Sequence, residues 1–142
     1  MKKIQFRRFI LILFVSAITW NCEKEEVFTH YEPPVWIQEQ GIFAVNMTAV
    51  VILPPNIKPY LASSDMLSAF VGESCRGVAS MVGDKFYITI KGNAGEVSNV
   101  TFKYYSSRNR YLYHAPDCVL FEPDLVYGTE DQPVVLPLQV IN

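Results

Sequence analysis

From about residue 42 onward, apolar and polar residues alternate with a period of two. Phe43, Val45, Met47, Ala49, Val51 and Leu53 fall on one side of an extended segment, the pattern of a strand with one face in a core. Phe86, Ile88 and Ile90 alternate with Tyr87, Thr89 and Lys91, and Val100, Phe102 and Tyr104 alternate with Thr101, Lys103 and Tyr105. Further short runs are Met66–Val71, Ser74–Met81, Tyr111–His114, Val119–Phe121 and Val134–Leu138. Turn chemistry separates them: Pro54-Pro55-Asn56, Gly72, and Gly92-Asn93-Ala94-Gly95. Val82-Gly83-Asp84-Lys85 predicts a hairpin joining Ser74–Met81 to Phe86–Lys91. No stretch of this region carries three turns of helical period with caps. Seven or eight short, regularly spaced strands predict an all-β fold, a single immunoglobulin-like antiparallel β-sandwich over residues 36–142.

The N-terminal pattern is different. Lys2, Lys3, Arg7 and Arg8 precede an apolar run from Phe9 to Trp20, and Cys22 follows directly, trailed by Glu23-Lys24-Glu25-Glu26. Twelve apolar residues fall short of the roughly 20 that a spanning helix needs. A basic start and a short apolar run form a secretory signal. The expected organisation is a signal peptide over residues 1–21, a lipidated Cys22 with a flexible tether over 22–35, and the sandwich after it. Pro33-Pro34 would end the tether in an extended segment.

Cys22 with Lys24, Glu25 and Glu26 resembles the export signal of Bacteroidota-type surface lipoproteins, in which a lysine and two acidic residues follow the lipidated cysteine. Thr19-Trp20-Asn21 stands where that family usually has small residues. The resemblance implies an acyl anchor on Cys22 and a place on the outer face of the outer membrane. Two or more acyl chains would hold the protein to a membrane far more firmly than one. A second resemblance covers residues 45–136. Met47-Thr48-Ala49-Val50-Val51, the run from Asp65 to Ala79, Tyr87–Asn93, Val100–Tyr105 and Phe121-Glu122-Pro123-Asp124 are similar to a small β-sandwich module of exported Bacteroidota-type proteins. It implies fold and location and brings no catalytic residue or ligand.

Composition narrows the function classes. Beyond Cys22 the chain carries eight Lys and Arg against 14 Asp and Glu, a formal charge of −6. Nucleic acid is therefore not an expected partner, because phosphate backbones demand a clustered positive face. With Cys22 lipidated, Cys75 and Cys118 remain as an even pair in an oxidising compartment. They are either a disulfide closing a loop of about 40 residues or two buried thiols.

The catalytic inventory is thin. His30 falls in the expected tether and His114 near a turn, and no nucleophile motif, phosphate loop or zinc spacing occurs. Asp117, Glu122, Asp124, Glu130 and Asp131 form an acidic set in the late loops whose spacing matches no calcium loop. Glu73 and Arg76 flank Cys75 and read as an ion pair fixing a bend. No metal, cofactor or catalytic residue is expected, and the protein is read as a non-enzyme.

The aromatic residues are the functional lead. Strand alternation turns Tyr87 and Tyr105 away from the core beside Lys91 and Lys103, and places Tyr111 and Tyr113 on one face of the next strand. If those strands are neighbours, the four tyrosines line one solvated face. Planar rings stack on the apolar faces of sugars and also anchor protein interfaces. The expected partners are the membrane, through the lipid, and either a glycan or surface polymer or a protein of an envelope assembly.

Overall fold

The computed structural model describes residues 26–142, apart from the side chains of Asp117 and Cys118. The signal peptide, Cys22, Lys24 and Glu25 lie outside the described residues. Among the described residues ten strands form the fold: β1 (Val45–Ile52), β2 (Met66–Val71), β3 (Ser74–Val78), β4 (Ser80–Val82), β5 (Lys85–Gly92), β6 (Asn99–Ser106), β7 (Tyr111–Leu120), β8 (Val126–Tyr127), β9 (Val134–Val135) and β10 (Gln139–Val140). Among the described residues the sole helical piece is the 3-10 turn Lys58–Tyr60.

The strands form two sheets. The first runs β4-β5-β1-β8, with β9 also paired to β1, and the second runs β10-β7-β6-β2-β3. The expected all-β sandwich is present, and most ladders are antiparallel. Two are not: β8 and β9 run parallel to β1. That direction is open to them because neither follows β1 directly in the chain: strands of both sheets intervene, so no tight hairpin dictates their sense.

The period-two reading locates the core well. Met47, Ala49, Val51 and Leu53 from the first segment are buried, as are Phe86, Ile88 and Ile90 of β5 and Val100, Phe102 and Tyr104 of β6. Fully burying each large side chain contributes roughly 1.5–3 kcal/mol. The expected hairpin differs. Ser74–Met81 is two strands: β3 belongs to the second sheet, and only β4 pairs with β5. The chain changes sheets at Ala79, whose N–H donates to Leu67 O at 2.9 Å. Gly77 permits that crossing, because a Cβ there would lie 2.5 Å from Thr89 O.

Residues expected as tether are instead part of the body. The segment from Phe28 to Phe43 is docked on the second sheet as an extended strap, with Tyr31 and Trp36 on its outer face. Tyr31 N donates to Arg110 O and Glu39 N to Cys75 O, both at 2.8 Å. Trp36 meets Phe70 edge-on with ring centroids 5.9 Å apart. Further on, the Arg76 guanidinium lies 4.6 Å over the Phe43 ring. Pro34, Trp36 and Gln38 turn toward the sheet while Val35 and Ile37 face solvent. The strap thus has strand-like alternation without a strand partner, which is why composition alone suggested a linker.

Candidate functional site

The four tyrosines singled out in the sequence do not share a face. Tyr87 lies on β5 in the first sheet, whereas Tyr105, Tyr111 and Tyr113 belong to the second. Tyr105 does point away from the core, yet it is 2% exposed. The strap covers it, and its hydroxyl donates to Tyr31 O at 3.2 Å. Lys91 is exposed on the first sheet. Lys103, on the second, is drawn over the Phe70 ring at 4.6 Å and lies 3.9 Å from Glu73. The expected continuous tyrosine face is therefore divided between two sheets and partly roofed over.

Tyr111 and Tyr113 do sit together, on the opposite side from the one expected. Tyr113 is the cross-strand partner of the inward Tyr104, and directly paired residues share a face. The Tyr104 and Tyr113 ring centroids are 5.7 Å apart. Tyr111, two residues earlier, shares that face at 6.5 Å from Tyr113. Both stand at the start of β7, beside the β6–β7 turn, and there they line a hollow of about 320 Å³.

Four other pieces of chain complete the hollow. The loop after β1 supplies Asn56, Ile57 and Tyr60; its turn is held by Ile57 N and Lys58 N donating to Pro54 O at 3.0 and 2.9 Å. Leu138 and Val140 come from the C-terminal segment that pairs with β7. Asn109 comes from the β6–β7 turn, and Phe28 from the strap. The strap is fixed at this end: Phe28 and His30 pack on Tyr111 at 5.3 and 5.2 Å, and His30 Nδ1 donates to Asn109 O at 3.0 Å. Burial, and then the neighbouring Tyr111, push the Tyr113 phenol above its ordinary range.

No protein-family model, curated protein or solved structure matches the chain.

Beneath the hollow, a buried carboxylate sets the geometry. Asp65 accepts from Tyr104 Oη at 2.5 Å, from Ser107 N at 2.8 Å, from Ser107 Oγ at 2.7 Å and from Ala62 N at 2.8 Å. It ties the loop before β2 to the β6–β7 turn and locks the Tyr104 ring against which Tyr113 rests. Burial and Asp65 both push the Tyr104 phenol far up.

The other residues singled out in the sequence serve elsewhere. Glu73 and Arg76 do not pair with each other. Arg76, on β3, reaches Glu96 at 3.3 Å and Glu39 of the strap at 3.9 Å, whereas Glu73, in the turn before β3, lies 3.9 Å from Lys103. Cys75 is a buried free thiol, its Sγ 3.8 Å from Gly77 O. It lies on β3, separated from β7 by β2 and β6. Cys118, its expected partner, lies outside the residues whose side chains are described. His114 pairs with Gln139 and Lys103 across β7. Among the described residues, no three His, Cys, Asp or Glu side chains gather as a metal site.

Tyr60, Asn56, Asn109 and Phe28 were missed in the sequence. The signal for the first two was available: Pro54-Pro55-Asn56 and Pro59-Tyr60 put an aromatic and an amide in one rigid loop. Phe28 carried none, because nothing local distinguishes a docked strap from a tether.

Proposed function

We propose that the protein is a lipid-anchored surface lipoprotein of the outer membrane whose sandwich acts as a non-catalytic binding module for glycans or surface polymers. The observation that carries this reading is the hollow, where three tyrosines converge with two asparagines. Aromatic rings offer flat apolar faces to sugar C–H groups, and amides and phenols both donate and accept hydrogen bonds to hydroxyls. Its volume of about 320 Å³ lies at the small end of the range for ligand pockets. The lining consists of phenols, amides and hydrocarbon, groups suited to holding a ligand rather than transferring protons or acyl groups. The anchor rests on the Cys22-Glu23-Lys24-Glu25-Glu26 resemblance.

The test is a glycan array probed with the full chain and with Tyr60→Ala and Tyr111→Ala variants. Retention on a defined glycan, lost in both variants at unchanged melting temperature, supports the reading. Binding that survives both variants would remove the hollow from it. Labelling with radioactive palmitate, abolished by Cys22→Ser, tests the anchor separately.

A second reading, a protein-binding subunit of an envelope assembly, is favoured by one feature. Val35 and Ile37 stand 82% and 70% exposed on the strap, beside a groove of about 600 Å³ that also includes Trp36 and Phe70. Exposed apolar groups gathered beside a groove mark interaction surfaces. Enrichment of one envelope protein by the wild type, lost in Val35→Ser/Ile37→Ser, would favour this reading.

A further inference from the structure

We infer that the hollow is selective for neutral saccharides and rejects uronic acids, sialic acids and sulfated or phosphorylated sugars. The inference rests on the glycan-binding reading and specifies its ligand class. Every residue lining the hollow is uncharged: tyrosine, asparagine, phenylalanine and aliphatic side chains. An anionic sugar group entering it would surrender water for amides and phenols with no cation to offset the loss, and burying an unpaired charge is costly.

Of the cations next in sequence to the lining, Lys58, Arg110 and His30 are already committed, while Arg108, beside Asn109, is exposed and is not part of the lining. Lys58 follows Ile57 directly, but its ammonium is held by Asp84 Oδ2 at 2.5 Å. Arg110 follows Asn109, and its guanidinium pairs with Glu32 and reaches Tyr31 O at 3.4 Å. His30 spends Nδ1 on Asn109 O and packs its ring on Tyr111. The charge of −6 on residues beyond Cys22 adds a long-range term of the same sign, since an acidic surface lowers the local concentration of polyanions.

The attractive side is equally specific. Sugar hydroxyls donate and accept in equal measure, and Asn56, Asn109 and the three phenols do the same. The Tyr113 hydroxyl is neutral at physiological pH, as an ordinary phenol is, and burial and Tyr111 push its titration further upward. Phe28 adds a hydrocarbon wall that a neutral ring can lie against and that gives nothing to a carboxylate.

Calorimetric titration of the full chain in detergent, at pH 7.5 and 150 mM salt, tests the inference. The probes are matched oligosaccharides: neutral hexose and N-acetylhexosamine oligomers against oligogalacturonate, sialyllactose and a sulfated disaccharide. The expected result is at least a tenfold preference for a neutral probe. Asn56→Lys, which places a cation on an exposed turn of the rim, should narrow that preference at least fivefold with the melting temperature unchanged. Equal or tighter binding of an anionic probe by the wild type would overturn the inference and leave the glycan reading standing. Failure to bind any member of a broad glycan array would overturn both.

Discussion

The hydroxyl of Tyr105 donates to the main-chain carbonyl of Tyr31 at 3.2 Å, joining residues 74 positions apart. Through this contact an outward-facing strand tyrosine becomes an interior one, and the segment leading from the N-terminus becomes a wall of the body. Tyr105→Ala should therefore cost about 3–5 kcal/mol, as truncation of a buried aromatic does. Tyr87→Ala, on the half-exposed face of the other sheet, should cost under about 1 kcal/mol, as surface changes usually do. Urea unfolding of the two variants checks the contrast, and equal losses would mean that the strap does not cover Tyr105 in solution.

That contrast marks what the sequence makes legible. Alternation alone identifies which side of β1, β5 and β6 faces inward, because side-chain direction is fixed by the period of two. It also pairs Tyr111 with Tyr113. It cannot say which sheet a strand joins, and so Tyr87 and Tyr105 look like neighbours when they lie on different sheets. Nor can it show that a third layer covers the outer face. The charged run from Glu23 ending in Pro33-Pro34 has the composition of a linker, and only the docking of Tyr31 on Tyr105 and of Trp36 on Phe70 reveals the strap. The hollow assembles from five chain segments, and no local pattern encodes such a meeting.

Asp65 is the polar keystone under the hollow, with four donors on one carboxylate. Asp65→Ala should destabilise the fold by about 3–5 kcal/mol, because it leaves the Tyr104 hydroxyl and two main-chain N–H groups without their acceptor. Asp65→Asn should recover part of the loss. Thermal unfolding of both variants, read by circular dichroism, checks the order wild type, Asn, Ala.

Burial pushes the Cys75 thiol above its ordinary value, and the strap lies over its strand. Its thiolate is therefore scarce at neutral pH. Alkylation by iodoacetamide at pH 7.5, followed by mass spectrometry of the Cys75 peptide, should be at least tenfold slower in the native protein than in urea. Reducing agent should leave the melting temperature of the monomer unchanged. A drop on reduction would indicate a covalent bridge.

Glu96 supplies an acid-sensitive contact. Burial alone would raise its pKa, but the Asn93 N–H, the Ser98 hydroxyl and Arg76 together outweigh burial and lower it below the ordinary 4.5. A carboxyl whose folded pKa is depressed contributes stability above its unfolded pKa and loses it as pH falls through the folded value. Glu96→Gln should therefore cost about 1–3 kcal/mol at pH 7. The gap to wild type should close as the pH drops below about 4.5. Denaturation at pH 7, 5 and 3 reads this directly, and a gap that stays constant would remove Glu96 as its source.

The central claim is that the hollow lined by Tyr60, Tyr111 and Tyr113 receives a sugar. The most direct measurement is a ¹H–¹³C spectrum of the full chain in detergent, with tyrosine rings selectively labelled, titrated with a glycan that the array selects. The account predicts saturable shifts in the rings of Tyr60, Tyr111 and Tyr113 while Tyr87 stays unmoved. Shifts confined to Tyr87, or binding that leaves all three hollow tyrosines unmoved, would contradict it.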